Sequence, residues 1–294
     1  MEGSTARSAA VSVPADLAAQ VSAALREDVG SGDVTAALVP AAQSVRGEIV
    51  SREEAVICGA PWVAETFRQL DPTITLEWLV SEGATVRPGQ CVVRVRGTAR
   101  PVLTGERTAL NFLQLLSATA TITRRFVTAI AGTGCTILDT RKTLPGLRTA
   151  QKYAVRCGGG QNHRTGLYDM VLIKENHIAA AGSLAAAIAA ARRGAAQLTV
   201  ETEVENLREL EEALAARADI ILLDDFSLDD MRTAVARNRA GGSPVKLEAS
   251  GSVSLESVRA IAATGVDYVS VGALTKHVRA VDLSMRLEFS TNPT

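Results

Sequence analysis

After Gly132-Thr133-Gly134 the chain alternates short β-branched runs with stretches of helical spacing. The runs are Cys135–Asp139, Met170–Ile173, Leu198–Val204, Ile220–Leu223, Val245–Glu248 and Tyr268–Val271. The helical stretches lie near 183–193, 206–216, 227–239 and 254–264, with Ser183, Asn206, Ser227 and Ser254 placed as N-caps. Strands separated by helices need crossovers, so they run parallel in a sheet with right-handed connections. Six strands are fewer than the eight of a closed barrel, which predicts an α/β fold built on an incomplete six-stranded α/β barrel. A doubly wound open sheet is the alternative. No Gly-x-Gly-x-x-Gly follows any strand, which disfavours a dinucleotide site.

The text before this repeat reads differently. Residues 1–13 are small and polar and read as frayed. Leu17, Val21, Ala24 and Leu25 recur at helical spacing between Asp16 and Glu27, and residues 27–35 form a turn-rich loop. Residues 45–58 and 74–96 read as strands, punctuated at Glu82-Gly83 and Pro88-Gly89. Together these predict an N-terminal α+β domain. Glu106 to Ala131 carries no Pro or Gly and reads as one helix of about 26 residues, roughly 39 Å long, serving as a spine between two domains. The expected division is 1–116, rejoined by 280–294, and a barrel domain at 117–279.

Composition excludes several function classes. Of the 294 residues, 47% are hydrophobic and 21% charged, enough apolar content for a substantial core. A net charge of -1, from 31 basic and 32 acidic residues, argues against bulk attraction to nucleic acid or an anionic membrane. No apolar stretch approaches the roughly 20 residues that span a bilayer. The first ten residues show no basic segment followed by an apolar one, so no secretory signal is read. Cys58, Cys91, Cys135 and Cys157 include no Cys-x-x-Cys pair and the chain has 3 histidines, which disfavours a zinc site or disulfide framework and predicts a reduced, cytoplasmic setting. The basic residues are 26 Arg and only 5 Lys, so Lys142, Lys152, Lys174, Lys246 and Lys276 each gain weight as functional candidates.

Ligand sites in parallel α/β folds lie at the C-terminal ends of the strands. There the sequence reads Asp139-Thr-Arg141-Lys142, then Lys174-Glu-Asn-His177, then the alternating Glu201, Glu203 and Glu205, then Asp224-Asp225, Glu248-Ala-Ser250-Gly251-Ser252, and Gly272. Any one of these is equally a solvated loop charge; several converging on one rim are harder to read that way. The long connection from Thr143 to Asp169 adds Arg148, Lys152, Arg156, Gly158-Gly159-Gly160 and His163-Arg164. Its glycines either cap a helix or open backbone N–H groups to an anion. The cations suit a substrate with several anionic groups. Glu203 and Asp224 among phosphates suggest Mg²⁺. Ser250-Gly251, ahead of a helix opening at Ser254, reads as a phosphate cradle. The inventory reads as a transfer between a phosphorylated sugar and an acidic acceptor.

Longer motifs carry a family resemblance. Asp139-Thr-Arg-Lys-Thr-Leu-Pro-Gly-Leu-Arg148, Gln151-Lys-Tyr-Ala-Val-Arg156, Gly158-Gly-Gly-Gln-Asn-His-Arg164, Leu172-Ile-Lys-Glu-Asn-His177 and Leu222-Leu-Asp224 closely resemble the quinolinate phosphoribosyltransferase family. Glu106-Arg-Thr-Ala-Leu-Asn-Phe-Leu113, Leu116-Ser-Ala-Thr-Ala-Thr121 and Gly272-Ala-Leu-Thr275 match as well, so the likeness covers roughly residues 16–288. It implies a type II phosphoribosyltransferase that converts quinolinate and phosphoribosyl pyrophosphate, with Mg²⁺, to nicotinate mononucleotide, pyrophosphate and CO₂ in NAD biosynthesis. By motif position, Arg107, Arg141, His163, Arg164 and Lys174 would hold the quinolinate carboxylates, with Lys142 and Lys174 facing the phosphoribosyl pyrophosphate. Glu203 and Asp224 would serve the ribose hydroxyls and Mg²⁺. Lys142, Lys174, Glu203 and Asp224 would be the catalytic set, and Ser250, Gly251, Val271 and Gly272 would surround the 5′-phosphate. It also implies a homodimer with shared active sites, or a higher assembly of dimers, in which Arg107 reaches the other subunit's site.

The chain departs from the family pattern twice. Ser252 stands where a second Gly is common, and a left-handed backbone there would put the cradle in doubt. Lys276 stands where a His is usual, with His277 beside it. Three other functions compete. A related phosphoribosyltransferase for another acid, such as nicotinate, would leave cations of the Arg141, His163 and Arg164 cluster unpaired. A Schiff-base aldolase would use Lys174. A biotinyl-type carrier turn at Glu82–Gly89 lacks a modifiable Lys anywhere before Lys142.

Overall fold

The computed structural model describes residues 11–242 and 244–289. In chain order the elements are α1 (Leu17–Val29), a 3₁₀ turn (Ala36–Leu38), β1 (Ser44–Ser51), β2 (Ala55–Val56), α2 (Ala60–Leu70), β3 (Thr75–Trp78), β4 (Thr85–Val86), β5 (Cys91–Thr98) and α3 (Ala99–Ala129). Then follow β6 (Thr136–Leu138), α4 (Arg148–Gly158), β7 (Val171–Ile173), α5 (Glu175–Ala181), α6 (Leu184–Gly194), β8 (Val200–Val204) and α7 (Leu207–Ala215). The last are β9 (Ile220–Asp224), α8 (Leu228–Ala240), β10 (Lys246–Ser250), α9 (Val258–Ala262), β11 (Tyr268–Ser270), α10 (Ala273–Lys276) and β12 (Leu283–Phe289). Two compact units result. One holds the residues up to Thr121, Thr149–Cys157 and the segment from Arg279; the other holds Ile122–Arg148 and Gly158–Val278. The frayed reading of residues 1–13 falls, for 1–10, outside the described residues.

The first unit is α+β. Its antiparallel sheet has the order β12-β1-β5-β3, and β1 bears a bulge between Ile49 and Val50. Ile49, Val93 and Val95 are fully buried, as are Trp62 and Phe67 of α2 and Leu113 of α3. Trp62 meets the ring of Tyr153 edge-on at 5.2 Å. The long helix begins at Ala99, earlier than its lack of breakers suggested. Pro101 lies in its first turn, where the missing N–H has no helical partner to lose. Gly105 marks a close approach: a Cβ there would lie 2.8 Å from Leu70 Cδ1 and 3.0 Å from the Phe67 ring. α4, read in the sequence as part of a long connection, places Ala150, Tyr153, Ala154 and Cys157 on one buried stripe.

The second unit carries the six expected parallel strands, in the order β6-β11-β10-β9-β8-β7. β6 and β7 form the two edges and do not pair with each other, so the barrel is incomplete. The segment after α4 lies against the β6 edge: Gln161 donates its N–H to Ile137 O at 2.9 Å and accepts from Asp139 N–H at 3.2 Å. Ser183, Asn206 and Ser227 cap α6, α7 and α8 as expected, each accepting a backbone N–H three residues on. Ser254 does not open its helix. It makes a serine turn with Ser257, and α9 starts only at Val258. The glycine run closes α4, with Gly159 left-handed at φ 96°.

Candidate active site

The strand ends of the second unit gather the rim residues. Lys174 follows β7 directly, and its N–H donates to His177 Nδ1 at 3.0 Å, which fixes the turn into α5. Its ammonium is ion-paired with Glu203, which projects from β8; the side chains are 44% and 10% exposed. That ion pair is unlike the desolvated free amine a Schiff base requires. One strand over, Asp224 ends β9 half-buried, and its carboxylate has no hydrogen bond or ion pair among the described residues. Glu205, expected to share the face of Glu203, lies past the end of β8 in the turn into α7, where its N–H donates to Glu209 at 2.9 Å.

On the other side of the rim, Lys142 is held by its backbone. Its N–H donates to Thr140 Oγ1 at 3.0 Å, and its carbonyl accepts from the Thr275 hydroxyl at 2.8 Å. Its side chain lies across Gly272, where a Cβ would come within 2.9 Å of Lys142 Cδ. Val271, beside it, is buried and donates its N–H to Leu138 O at 2.9 Å. Lys276 is exposed on α10.

Ser250 and Gly251 form a tight turn against Asp225. Asp225 is left-handed at φ 51° and donates its N–H to Ser250 O at 3.1 Å. Gly251 has φ 132°, and a Cβ there would lie 2.2 Å from Asp225 Oδ1. Glycine is required at this position by backbone and by space together. Ser252 is not among the left-handed residues, so replacing a glycine there strains nothing. A cavity of about 350 Å³ opens beside the turn, lined by Asp225, Ser250, Ser252 and Ser257 among others. The turn does not stand at a helix N-terminus, which corrects the cradle expected at Ser254. Gly251→Ala is expected to introduce strain of about 1–2 kcal/mol, felt as a roughly five- to thirtyfold rise in the Michaelis constant for a phosphorylated substrate. Steady-state kinetics check it, with Asp225→Ser relieving part of the clash.

Beneath the rim lies a buried polar layer. Asp139, fully buried at the end of β6, accepts the His163 N–H at 2.9 Å and an Asn162 side-chain N–H at 2.7 Å. His163 Nε2 faces Glu201 Oε2 at 2.9 Å and Glu248 Oε2 at 3.4 Å. Burial lowers the His163 pKa, but hydrogen bonds to Glu201 and Glu248 outweigh it and raise the value to about 10. Burial, seconded by Glu248 and opposed by His163, lifts Glu201 to about 7. Arg164 follows, half-buried; burial and then the neighbouring Arg141 lower its pKa. Arg141 Nε is buried without a hydrogen-bond partner. The sequence names Glu201 and Glu248 among the strand-end residues but gives neither a site role. Period-2 spacing was the available signal, since each lies two residues before a rim residue on the same strand. Arg107 is exposed on α3 and is described with the first unit.

An α/β barrel whose strand ends carry paired cations, two acidic side chains and a glycine turn is an enzyme framework for small anionic substrates. The quinolinate phosphoribosyl transferase N-terminal domain family matches residues 33–117, and the corresponding C-terminal domain family matches residues 119–286. The chain belongs to the quinolinate phosphoribosyltransferase family. It is 45% identical over 271 residues to a nicotinate-nucleotide pyrophosphorylase (carboxylating) of Mycobacterium leprae, covering 90% of this chain and 94% of that protein. A probable nicotinate-nucleotide pyrophosphorylase (carboxylating) of Bacillus subtilis is 42% identical over 265 residues, covering 90% and 91%. The solved nicotinate-nucleotide pyrophosphorylase of Francisella tularensis superposes with a TM-score of 0.89 at 46% identity, covering 95% of this chain and 98% of that one.

Proposed function

We propose that the protein transfers phosphoribose from phosphoribosyl pyrophosphate to quinolinate, giving nicotinate mononucleotide, pyrophosphate and CO₂, the CO₂ being the 2-carboxylate of quinolinate. The observation that carries it is the partly buried Arg141–Arg164 pair, two guanidiniums without a carboxylate of their own on the rim. A dicarboxylate satisfies both; nicotinate, with one carboxylate, leaves a cation unpaired. Lys174, freed from Glu203, and Arg107 complete the grip on the acid. Lys142, Val271 and Gly272 with Ser250 and Gly251 flank the phosphates.

The chemistry divides between the substrates and the residues. The ribose C1–oxygen bond breaks with its electron pair leaving on pyrophosphate, through an oxocarbenium-like state as in glycoside cleavage. Lys142 and Lys174 offset the charge that builds on the leaving oxygens. Glu203 and Asp224 orient the ribose hydroxyls and stabilise the positive ring. The pyridine nitrogen donates its lone pair to C1. The resulting pyridinium then accepts the pair left on C2 when the carbon–carbon bond to the 2-carboxylate breaks, and C2 takes up a proton. Orientation is the main protein contribution.

Magnesium takes hard oxygen ligands and retains waters. The unpartnered Asp224 carboxylate and the nearly buried Glu203 are a donor set that fits it. Bound there, it would supply further charge compensation to the pyrophosphate. A cytoplasmic homodimer with shared sites completes the proposal. No helix among the described residues is long and apolar enough to cross a membrane. A product assay tests the function: quinolinate, phosphoribosyl pyrophosphate and Mg²⁺ are expected to yield nicotinate mononucleotide with one CO₂ per turnover, and chelation of the metal is expected to abolish it. Equal or faster turnover of nicotinate without CO₂ would sink the assignment.

A further inference from the structure

Both ring nitrogens of His163 are committed inside the protein. Nδ1 accepts the Arg164 N–H at 2.7 Å, so in the neutral ring the hydrogen sits on Nε2. Nε2 points away from that backbone, at Glu201 and Glu248. These carboxylates are 0% and 1% exposed; their oxygens have no hydrogen-bond partner of ordinary geometry, and His163 is their one ion-pair contact among the described residues. Two buried carboxylates without partners are costly, so this arrangement needs the imidazole as much as the imidazole needs it. The two strands that supply them, β8 and β10, are separated by β9, so His163 reaches into the barrel interior to meet both.

We propose that Glu201 and Glu248 are positioning residues of the reaction, acting through His163 on Arg164. The carboxylates face the ring's Nε2 at 2.9 and 3.4 Å and hold it by charge. The ring in turn fixes the Arg164 N–H through Nδ1. Asp139 pins the same segment from the β6 side through His163 N–H and Asn162. Asp169 pins it from the far side by accepting the Thr165 N–H at 2.6 Å and the Gly166 N–H at 3.1 Å, and Arg148 donates to Thr165 O at 3.1 Å. Arg164 thus stands on a backbone tied at the residues before and after it. This segment lies along the open side of the barrel, where no strand ladder holds it. His163 then serves the acid substrate by aiming Arg164, with no ring nitrogen left over for a carboxylate.

The inference rests on the proposed acid site, and its test separates the two. With only 3 histidines in the chain, nitrogen-15 NMR resolves each ring, assigned with His177→Gln and His277→Gln variants. Above its raised pKa, the neutral wild-type His163 ring is expected as a single tautomer, protonated on Nε2 and accepting at Nδ1. Glu201→Met and Glu248→Met are expected to release it into a tautomer mixture. Each should raise the quinolinate Michaelis constant about tenfold and leave that for phosphoribosyl pyrophosphate unchanged. Glu201→Gln and Glu248→Gln, which still accept a hydrogen bond, should restore most of the loss and remain measurable if the methionine variants fail to fold. A neutral wild-type ring protonated on Nδ1 would overturn the inference. So would a folded methionine variant with an unchanged quinolinate constant, or a stoichiometric divalent metal lost on Glu248→Met. If the wild type turns over no quinolinate, the functional assignment fails, and the tautomer spectra still decide the geometry.

Discussion

Arg164→Ala raises the quinolinate Michaelis constant about tenfold to a hundredfold, the loss expected for a charge-assisted carboxylate contact of about 1.5–3 kcal/mol. Use of phosphoribosyl pyrophosphate changes little. The size of the effect follows from the surroundings. Arg164 is half-buried next to Arg141, and burial followed by that like charge lowers its pKa. Two neighbouring guanidiniums with no ion pair of their own among the described residues repel, and a dicarboxylate placed against them offsets the repulsion while making bidentate contacts. A backbone tied at Asp139, His163 and Asp169 holds the position of the missing side chain. Arg164→Lys should recover part of the loss, since a point charge replaces a fork. Initial rates with each substrate varied in turn measure it. An unchanged quinolinate constant and turnover would remove Arg164 from the acid site.

The second large effect is a recovery of activity. Arg107→Ala and Lys174→Ala should each be nearly inactive alone. If Arg107 serves the partner's site, a hybrid dimer of the two variants contains one intact site and one with both lesions. Random mixing one to one gives about half hybrids, each with half its sites whole, so about a quarter of wild-type activity should return. If Arg107 served its own subunit, every site would keep one lesion. Mass spectrometry under native conditions verifies that hybrids have formed, and their inactivity would refute the shared site.

Much of the second unit was legible because its signals were local and mutually consistent. All six strands stand within a few residues of their β-branched runs, and three of four caps act through the side chains their residue types suggest. What the sequence hid has specific causes. Pro101 and Gly105 look like breakers, yet one lies in a first turn and the other admits Leu70 and Phe67, so α3 starts well before Glu106. The buried stripe of α4 was present in the spacing of Ala150, Tyr153, Ala154 and Cys157, but lies within a run of functional motifs. α5 has no buried residue and so leaves no amphipathic trace. Among site residues, the sequence places Glu201 and Glu248 with the strand-end charges but assigns them no role. A carboxylate in a barrel interior becomes intelligible only when its partner, His163, arrives from a distant connection. Of the other lysines, Lys246 makes an exposed ion pair with Asp267, and Lys276 stands in solvent.

The strand order also sets a timetable for synthesis. β7, β8, β9 and β10 each pair with the strand that follows them in the chain, so this part of the sheet can grow as the polypeptide emerges. β6 is translated before all of them, yet its ladder partner is β11, with Thr136 opposite Tyr268. It waits through four intervening strands, and closing so long a loop delays it further. The Lys142 side of the rim, which depends on Thr275 and Gly272, is therefore the last part of the pocket to take shape. A nascent chain exposes the apolar edge of β6 throughout that interval, the stage at which a helper that shields unpaired strands has most to protect.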